Sequence, residues 1–305
     1  MKLYFQSAAK IEKTRQLNDY QPRLTSKQNV KSILSAGHSD INLLIHINVM
    51  RPCVRIIFAA IHRIMTKIIL DILAFGAHPD DVEISCGGTL IRSAEEGKSL
   101  GIIDLTAGEL GSRGNKSLRI AEADKASKLM GLSIRENLEF RDCFFTDDEY
   151  HRIRVIEKIR KYRPQIVLVN SPSDRHPDHA RASKLVREAC YYAGLPKIVT
   201  LDQDEQQEPW RPRSVFMYIQ DYYLDPSFVI DISGFWEKKL AVLKCYSSQF
   251  HNPESSEPNT PISGEELFDF LYGKSLNLGR PCGFTLGEGF ISDRHIGVTS
   301  LNNIL

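Results

Sequence analysis

No run of apolar residues in this 305-residue chain is long enough to cross a bilayer. The runs Ile41–Met50 and Ile56–Ile61 are split by Arg51-Pro52 and fall well short of the about 20 residues a spanning helix needs. Cysteine is scarce: the six (Cys53, Cys86, Cys143, Cys190, Cys245 and Cys282) lie far apart and form no C-x-x-C pair. That argues against a cysteine-based zinc module or a disulfide framework, and fits reduced, packed thiols in a cytoplasmic protein. Net charge of one sign is also lacking, at +1 overall. The balance is uneven, however. Residues 1–64 carry ten basic and three acidic residues, which leaves 29 basic and 35 acidic residues in the remainder. An acidic body argues against nucleic acid as a partner. No internal repeat and no heptad run is present.

Residues 1–64 read unlike the rest: basic, acid-poor and rich in Ser, Gln and Asn to about residue 40. Tyr4-Phe5-Gln6-Ser7 resembles a tag scar. The composition would suit a targeting peptide. The favoured expectation is an unstructured extension or translated upstream sequence, with the natural start at Met65 and one domain over 65–305.

From Met65 the pattern becomes regular. Ile68–Phe75, Ser99–Thr106 and Gln165–Asn170 read as strands, with a short candidate at Asn137–Phe140. Gly88–Glu96, Leu118–Met130, His151–Tyr162 and a segment ending near Tyr192 read as helices. Strands alternating with helices of about a dozen residues predict βαβ units: an α/β, Rossmann-like, mostly parallel sheet flanked by helices. Ser214–Ile219 and Phe228–Asp231 are further strand candidates, and Phe235–Tyr246 a helix. Ser247–Ser275 reads as a long polar loop or lid with a short helix near Glu265–Leu271, and glycine-rich Pro281–Ile291 closes the domain.

Two polar clusters follow buried strands. His78, Asp80 and Asp81 come after the first, and His176, Asp178 and His179 after Gln165–Asn170. In a parallel sheet the strands' carboxyl ends share one edge, where ligands bind. Two imidazoles and a carboxylate from separate loops would give three metal ligands and leave a position open, the form of a catalytic zinc site. Either cluster alone is equally a helix-capping turn, since Asp and Pro serve there too. A non-catalytic nucleotide- or metal-binding module is the remote alternative. It is disfavoured because His and Asp stand where G-x-G-x-x-G would be and would repel a pyrophosphate.

The AHPDD and HPDH motifs resemble those of the LmbE-like/PIG-L metal-dependent deacetylases. Asp104–Leu110, Arg119 with Glu122-Ala123, Asp174–His179, Asp231–Ser233, Tyr246–Phe250 and Glu288–Phe290 look like the branch that deacetylates N-acetylglucosaminyl malate in bacillithiol biosynthesis. The resemblance implies Zn2+ (Fe2+ or Co2+ as substitutes) on His78, Asp81 and His179, with Asp80 as general base. It implies His176 at the oxyanion, with Asp178 hydrogen-bonded to its ring. Arg119 would clamp the malate, and Glu109, Ser112, Arg113 and Arg175 would line the sugar pocket. Gln249 and Glu288 would close the site. Another GlcNAc derivative (a chitooligosaccharide, a GlcNAc-inositol or a thiol conjugate) is the alternative substrate. The expected partners are a small molecule and further copies of the chain. Cys86 is a reactive-thiol candidate. Tyr191-Tyr192 and Tyr222-Tyr223 are expected to be half-buried packing rather than sugar platforms.

Overall fold

A computed structural model describes residues 68–301. The expectations for residues 1–64, and Cys53 with them, lie outside the described residues.

The strands are β1 (Ile72–Gly76), β2 (Leu100–Thr106), β3 (Ile134–Phe140), β4 (Ile166–Val169), β5 (Leu201–Asp202), β6 (Glu205–Gln206), β7 (Ser214–Tyr218), β8 (Phe228–Asp231) and β9 (Gly287–Ile291). The helices are α1 (Asp81–Glu95), α2 (Lys116–Met130), α3 (Glu149–Tyr162), α4 (Pro177–Tyr192), α5 (Trp236–Leu243) and α6 (Glu266–Gly279). Seven strands form one sheet in the order β3-β2-β1-β4-β7-β9-β8, and β5 pairs only with β6. From β3 through β7 all pairings are parallel, whereas β9 runs antiparallel to both β7 and β8.

Alternation along the strands builds two cores. Leu73 and Phe75 face one side with Ile103, Leu105, Val167 and Val169, under α3 and α4. Ile72 and Ala74 face the other with Leu100 and Ile102, under α1, α2, α5 and α6. A strand covered on both faces reads as a continuous apolar run, which is why β1, β2 and β4 stood out in the sequence. Side chains cap the starts of α2 and α3. Asn115 Oδ1 accepts from Leu118 N at 3.0 Å, and Asp148 Oδ1 accepts from His151 N at 3.0 Å.

The sheet's order reverses between β1 and β4: the chain first winds outward through β2 and β3, then returns to the far side of β1. A crevice opens at such a switch point, outside the strands' carboxyl ends. The loops bearing the two His/Asp motifs leave the sheet there.

Three elements differ from the sequence expectation. The small β5–β6 hairpin was not foreseen. The short helix expected near Glu265–Leu271 is the 14-residue α6. The glycine-rich stretch that closes the domain, given no strand from sequence, contains β9, inserted into the sheet. Its glycines are there for space: a Cβ on Gly287 would lie 2.4 Å from Val229 and 3.0 Å from the backbone of Gly279 on α6. Among the described residues no helix is long and apolar enough to cross a membrane.

Candidate active site

The loop after β1 is held from three directions. Ala77 N donates to Asn170 Oδ1 at 3.0 Å, and Ala77 O accepts from Thr106 N and Thr106 Oγ1 at 3.0 and 2.9 Å. Arg119 Nη2 donates to Pro79 O at 2.7 Å and Arg119 Nη1 to Gly108 O at 3.1 Å. Gly108 has φ +63°, and a Cβ there would fall 1.6 Å from Arg119 Nη1, so only glycine admits this guanidinium. Asp80 sits at φ 115°, a strained backbone for a non-glycine residue. Such strain persists where surrounding bonds impose it, commonly at working sites.

His78, Asp80, Asp81, Asp178 and His179 are all buried, and His176 is half-buried. The rings of His78 and His176 are 4.6 Å apart, those of His176 and His179 5.2 Å, and those of His78 and His179 5.6 Å. The two loops therefore meet. Asp81 lies between two of these rings: Oδ1 is 3.1 Å from His179 Nε2, and Oδ2 is 3.5 Å from His78 Nδ1. Each ring's other nitrogen is held by an aspartate, His179 Nδ1 by Asp174 Oδ2 at 2.6 Å and His78 Nε2 by Asp142 Oδ1 at 3.1 Å.

The charges follow from this packing. Burial raises the cost of an ionised Asp142, yet His78 and the Leu110 N–H bring it down to about 2. Burial likewise opposes ionisation of Asp174, and His179 more than offsets it. Both carboxylates are therefore ionised acceptors, and the ring nitrogens facing them carry the N–H. That leaves the lone pairs of His78 Nδ1 and His179 Nε2 directed at the Asp81 carboxylate, a repulsive arrangement unless something positive stands between. In the protein alone, protons fill this role. Burial disfavours charge on either imidazole, but the carboxylates around His78 push it well above the ordinary value, and Asp81 with Asp174 brings His179 up to about 9. Asp81 is held well below the usual range against its burial, chiefly by His179.

A divalent cation held by two neutral imidazoles and one carboxylate would supply the same two charges. Carboxylates behind metal-binding imidazoles are the usual means of fixing their tautomer. His78, Asp81 and His179 thus fit a metal by chemistry and by orientation. Two other sets bring their ligand atoms within 4.8 Å of one another, His78 with His176 and His179, and His78 with Asp142 and Asp178.

Residues 73–190 match the PIG-L family, described as GlcNAc-PI de-N-acetylase. The diacetylchitobiose deacetylase of Thermococcus kodakarensis is 32% identical over 229 residues, covering 72% of this chain and 81% of that one. The chain belongs to the PIG-L family of de-N-acetylases. The conserved protein TT1542 of Thermus thermophilus shares its structure with a TM-score of 0.68 and 34% identity, over 76% of this chain and 99% of that one. The 4-oxalmesaconate hydratase of Pseudomonas putida is also similar, at 28% identity over 76% of this chain and 85% of its own. Family likeness therefore extends to a protein named as a hydratase, and the reaction must be argued from the site.

Several residues of this PIG-L protein stand elsewhere than the sequence suggested. Arg119 is buried, with Nη1 and Nη2 on Gly108, Pro79 and Asp80 Oδ2 (3.2 Å) and Nε without a hydrogen-bond partner, so its terminal nitrogens brace the loop and the neighbouring carboxylate. Arg113 and Gln249 are buried as well. Arg113 donates to Ser248 O, Ser255 Oγ and Pro258 O, and Gln249 Nε2 to Arg113 O at 2.9 Å. They tie the polar segment 247–263 to the loop after β2. Glu288 is likewise a buried brace, described below. Glu109 is largely exposed and accepts from Asp142 N at 2.8 Å, and Ser112 is exposed on the same loop. Arg175 is paired with Asp221 Oδ2 at 2.7 Å, beside a cleft that also includes His179 and Gln220.

Asp178 differs in its partner. Its main-chain N–H, not its carboxylate, meets His176 Nδ1 (3.2 Å), which makes His176 the N-cap of α4. The carboxylate accepts from Cys143 N, pairs with Arg181 and approaches His78 Nε2 at 3.5 Å. Burial, with His78 and His179 nearby, lowers the His176 pKa, so its imidazole is neutral. With Nδ1 accepting, the proton of His176 is on Nε2. Burial pushes the Cys86 thiol well above its ordinary value, which removes it as a nucleophile. Tyr222 and Tyr223 are exposed rather than half-buried.

Asp142, Asp174, Asn170 and Gln220 were assigned no role from sequence. Asn170 directly follows β4 and Gln220 lies in the loop after β7, the edge on which His78 and His179 stand. That position was their available signal.

Proposed function

We propose that this PIG-L family protein is a metal-dependent N-deacetylase of an N-acetylglucosamine conjugate, with zinc as the ion and N-acetylglucosaminyl malate as the substrate. The observation that carries the metal reading is the pair of imidazole lone pairs, from the loops after β1 and β4, meeting at Asp81 with their far nitrogens fixed by Asp142 and Asp174. His78, Asp81 and His179 would hold the ion. When bound, it would acidify water and polarise the amide carbonyl.

The remaining work falls to this chain's own groups. Asp80, next in sequence to Asp81, points its carboxylate to Arg119 and is free of the ligand set. It takes the proton of the attacking water, whose oxygen bonds to the acyl carbon. Burial pushes the Asp80 carboxyl up to about 7, with Arg119 opposing. His176 donates from Nε2–H toward the oxygen that becomes negative. As the C–N bond breaks, the proton held by Asp80 passes to the departing nitrogen, giving acetate and an amine.

The malate assignment rests on the motif resemblance. Arg175, with its side chain partly exposed beside the cleft, is the guanidinium placed to meet an anionic aglycone, by exchange from Asp221. A neutral glycoside is the second reading, favoured by the burial of Arg119. Five free cysteines among the described residues fit a reduced, cytoplasmic setting. The test is acetate release from N-acetylglucosaminyl malate beside diacetylchitobiose and a GlcNAc-inositol, with and without chelator. The account expects chelator-sensitive release and preference for the malate conjugate. Turnover untouched by the chelator would overturn it, and preference for a neutral glycoside would overturn the malate assignment alone.

A further inference from the structure

The Asp81 carboxylate is gripped by two neutral amides that the reaction itself does not use. Asn170 Nδ2 donates to Asp81 Oδ2 at 3.0 Å, and Gln220 Nε2 donates to Asp81 Oδ1 at 2.7 Å. Asn170 Nδ2 also donates to Gln220 Oε1 at 3.2 Å, so the amides brace each other. His78 N adds a bond to Asp81 Oδ2 at 2.9 Å. All of these groups are buried.

A carboxylate oxygen has two in-plane lone pairs. Oδ2 spends both, on His78 N and Asn170 Nδ2. Oδ1 spends one on Gln220 and keeps one, on the side where His179 Nε2 lies 3.1 Å away. Asp81 therefore has one acceptor position left. Gln220 is fixed in turn: Lys274 Nζ on α6 donates to the main-chain oxygens of Ile219 and Gln220.

We propose that Asn170 and Gln220 are positioning residues that restrict Asp81 to a single donor position and so set the cation selectivity of the centre, toward ions content with few ligands. This rests on the ligand reading above. A carboxylate free to offer both oxygens favours ions with larger coordination numbers, such as Mn2+, whereas a single oxygen with two imidazoles suits Zn2+ or Co2+.

The experiment uses the full chain and Asn170→Leu, which removes the amide donor from Oδ2 and so frees that oxygen as a second ligand atom. Dissociation constants for Zn2+ and Mn2+ are measured by chelator competition, and the visible absorption of the Co2+ form is recorded. A merely structural role would weaken both ions by the same factor. The proposal expects the Mn2+/Zn2+ ratio of dissociation constants to fall by at least tenfold, with the Co2+ bands weakening as its coordination number rises. An unchanged ratio and spectrum would overturn it. If Asn170→Leu fails to fold, Asn170→Ser, whose shorter side chain withdraws the donor from Oδ2, is read in the same way. Failure of the wild type to bind any of these ions would overturn the ligand reading itself, a result distinct from an unchanged ratio.

Discussion

Glu288→Ala is expected to destabilise the protein strongly. Helix α1 breaks at Cys86 (φ −138°, ψ 21°), so the N–H groups of the turn that follows lose regular helical partners. Glu288 on β9 supplies replacements: Oε1 accepts from Gly88 N at 3.0 Å, and Oε2 from Thr89 N and Thr89 Oγ1 at 2.7 Å each. Oε1 also accepts from Lys239 Nζ on α5 at 2.6 Å, and both side chains are 2% exposed. One carboxylate thus caps the second half of α1 and neutralises a buried ammonium. Truncating one partner of a buried pair costs about 3–5 kcal/mol. For a domain of this size about 1 kcal/mol moves Tm by about 2–4 °C, so a fall of about 6–20 °C is expected. The assay is thermal unfolding of the wild type, Glu288→Ala and Glu288→Ala/Lys239→Met. Removing the stranded ammonium should restore much of the loss and leave about 1 kcal/mol for the missing cap. A loss below about 1 kcal/mol in the single variant would refute the reasoning, as would a double variant no more stable than the single. Substrate KM should be unaffected in Glu288→Ala at temperatures where it stays folded, because Glu288 braces the fold and does not close the site.

Acid stability should carry the signature of Glu136. Burial opposes its ionisation, but Lys158, Lys161 and Tyr162 on α3 bring its pKa down to about 2. A depressed carboxylate contributes stability above its unfolded value of about 4.5 and loses it as pH falls toward 2. Glu136→Gln should therefore flatten the stability–pH curve in that window and leave a constant deficit above it; an unchanged curve would count against the cluster. Native Cys86 should resist thiol reagents while exposed Cys143 and Cys282 react, which mass spectrometry of the labelled protein would read. Modification of Cys86 in the folded protein at the rate of Cys282 would contradict its burial.

The strands and both His/Asp motifs were legible because each is local: an apolar run directly followed by its polar cluster. The switch between β1 and β4 then brought the motifs together. What surrounds them was not legible. Asp142 follows β3 and Gln220 follows β7, so their partnership with His78 and Asp81 exists only after the sheet has formed. Asp174 lay within a quoted motif, yet nothing local distinguishes a carboxylate behind an imidazole from one in solvent. For Arg119, Arg113 and Gln249 the resemblance implied contact with substrate, whereas carbonyls of neighbouring loops take their hydrogen bonds, which no local pattern shows. In β9, the glycines carry no strand signal because they are there to make room for α6 and Val229.

The division of labour between adjacent carboxylates is the central claim, and parallel analysis of Asp81→Ala and Asp80→Ala tests it most directly. Metal content after dialysis and acetate release would be measured on the same samples. Asp81 lies between two imidazoles, so Asp81→Ala should lose bound metal and activity together. Asp80 sits against Arg119, so Asp80→Ala should keep a full complement of metal while its rate falls by about 10²–10⁴, the range of a lost general base. Equal metal loss in both variants, or a metal-replete Asp81→Ala, would contradict the account.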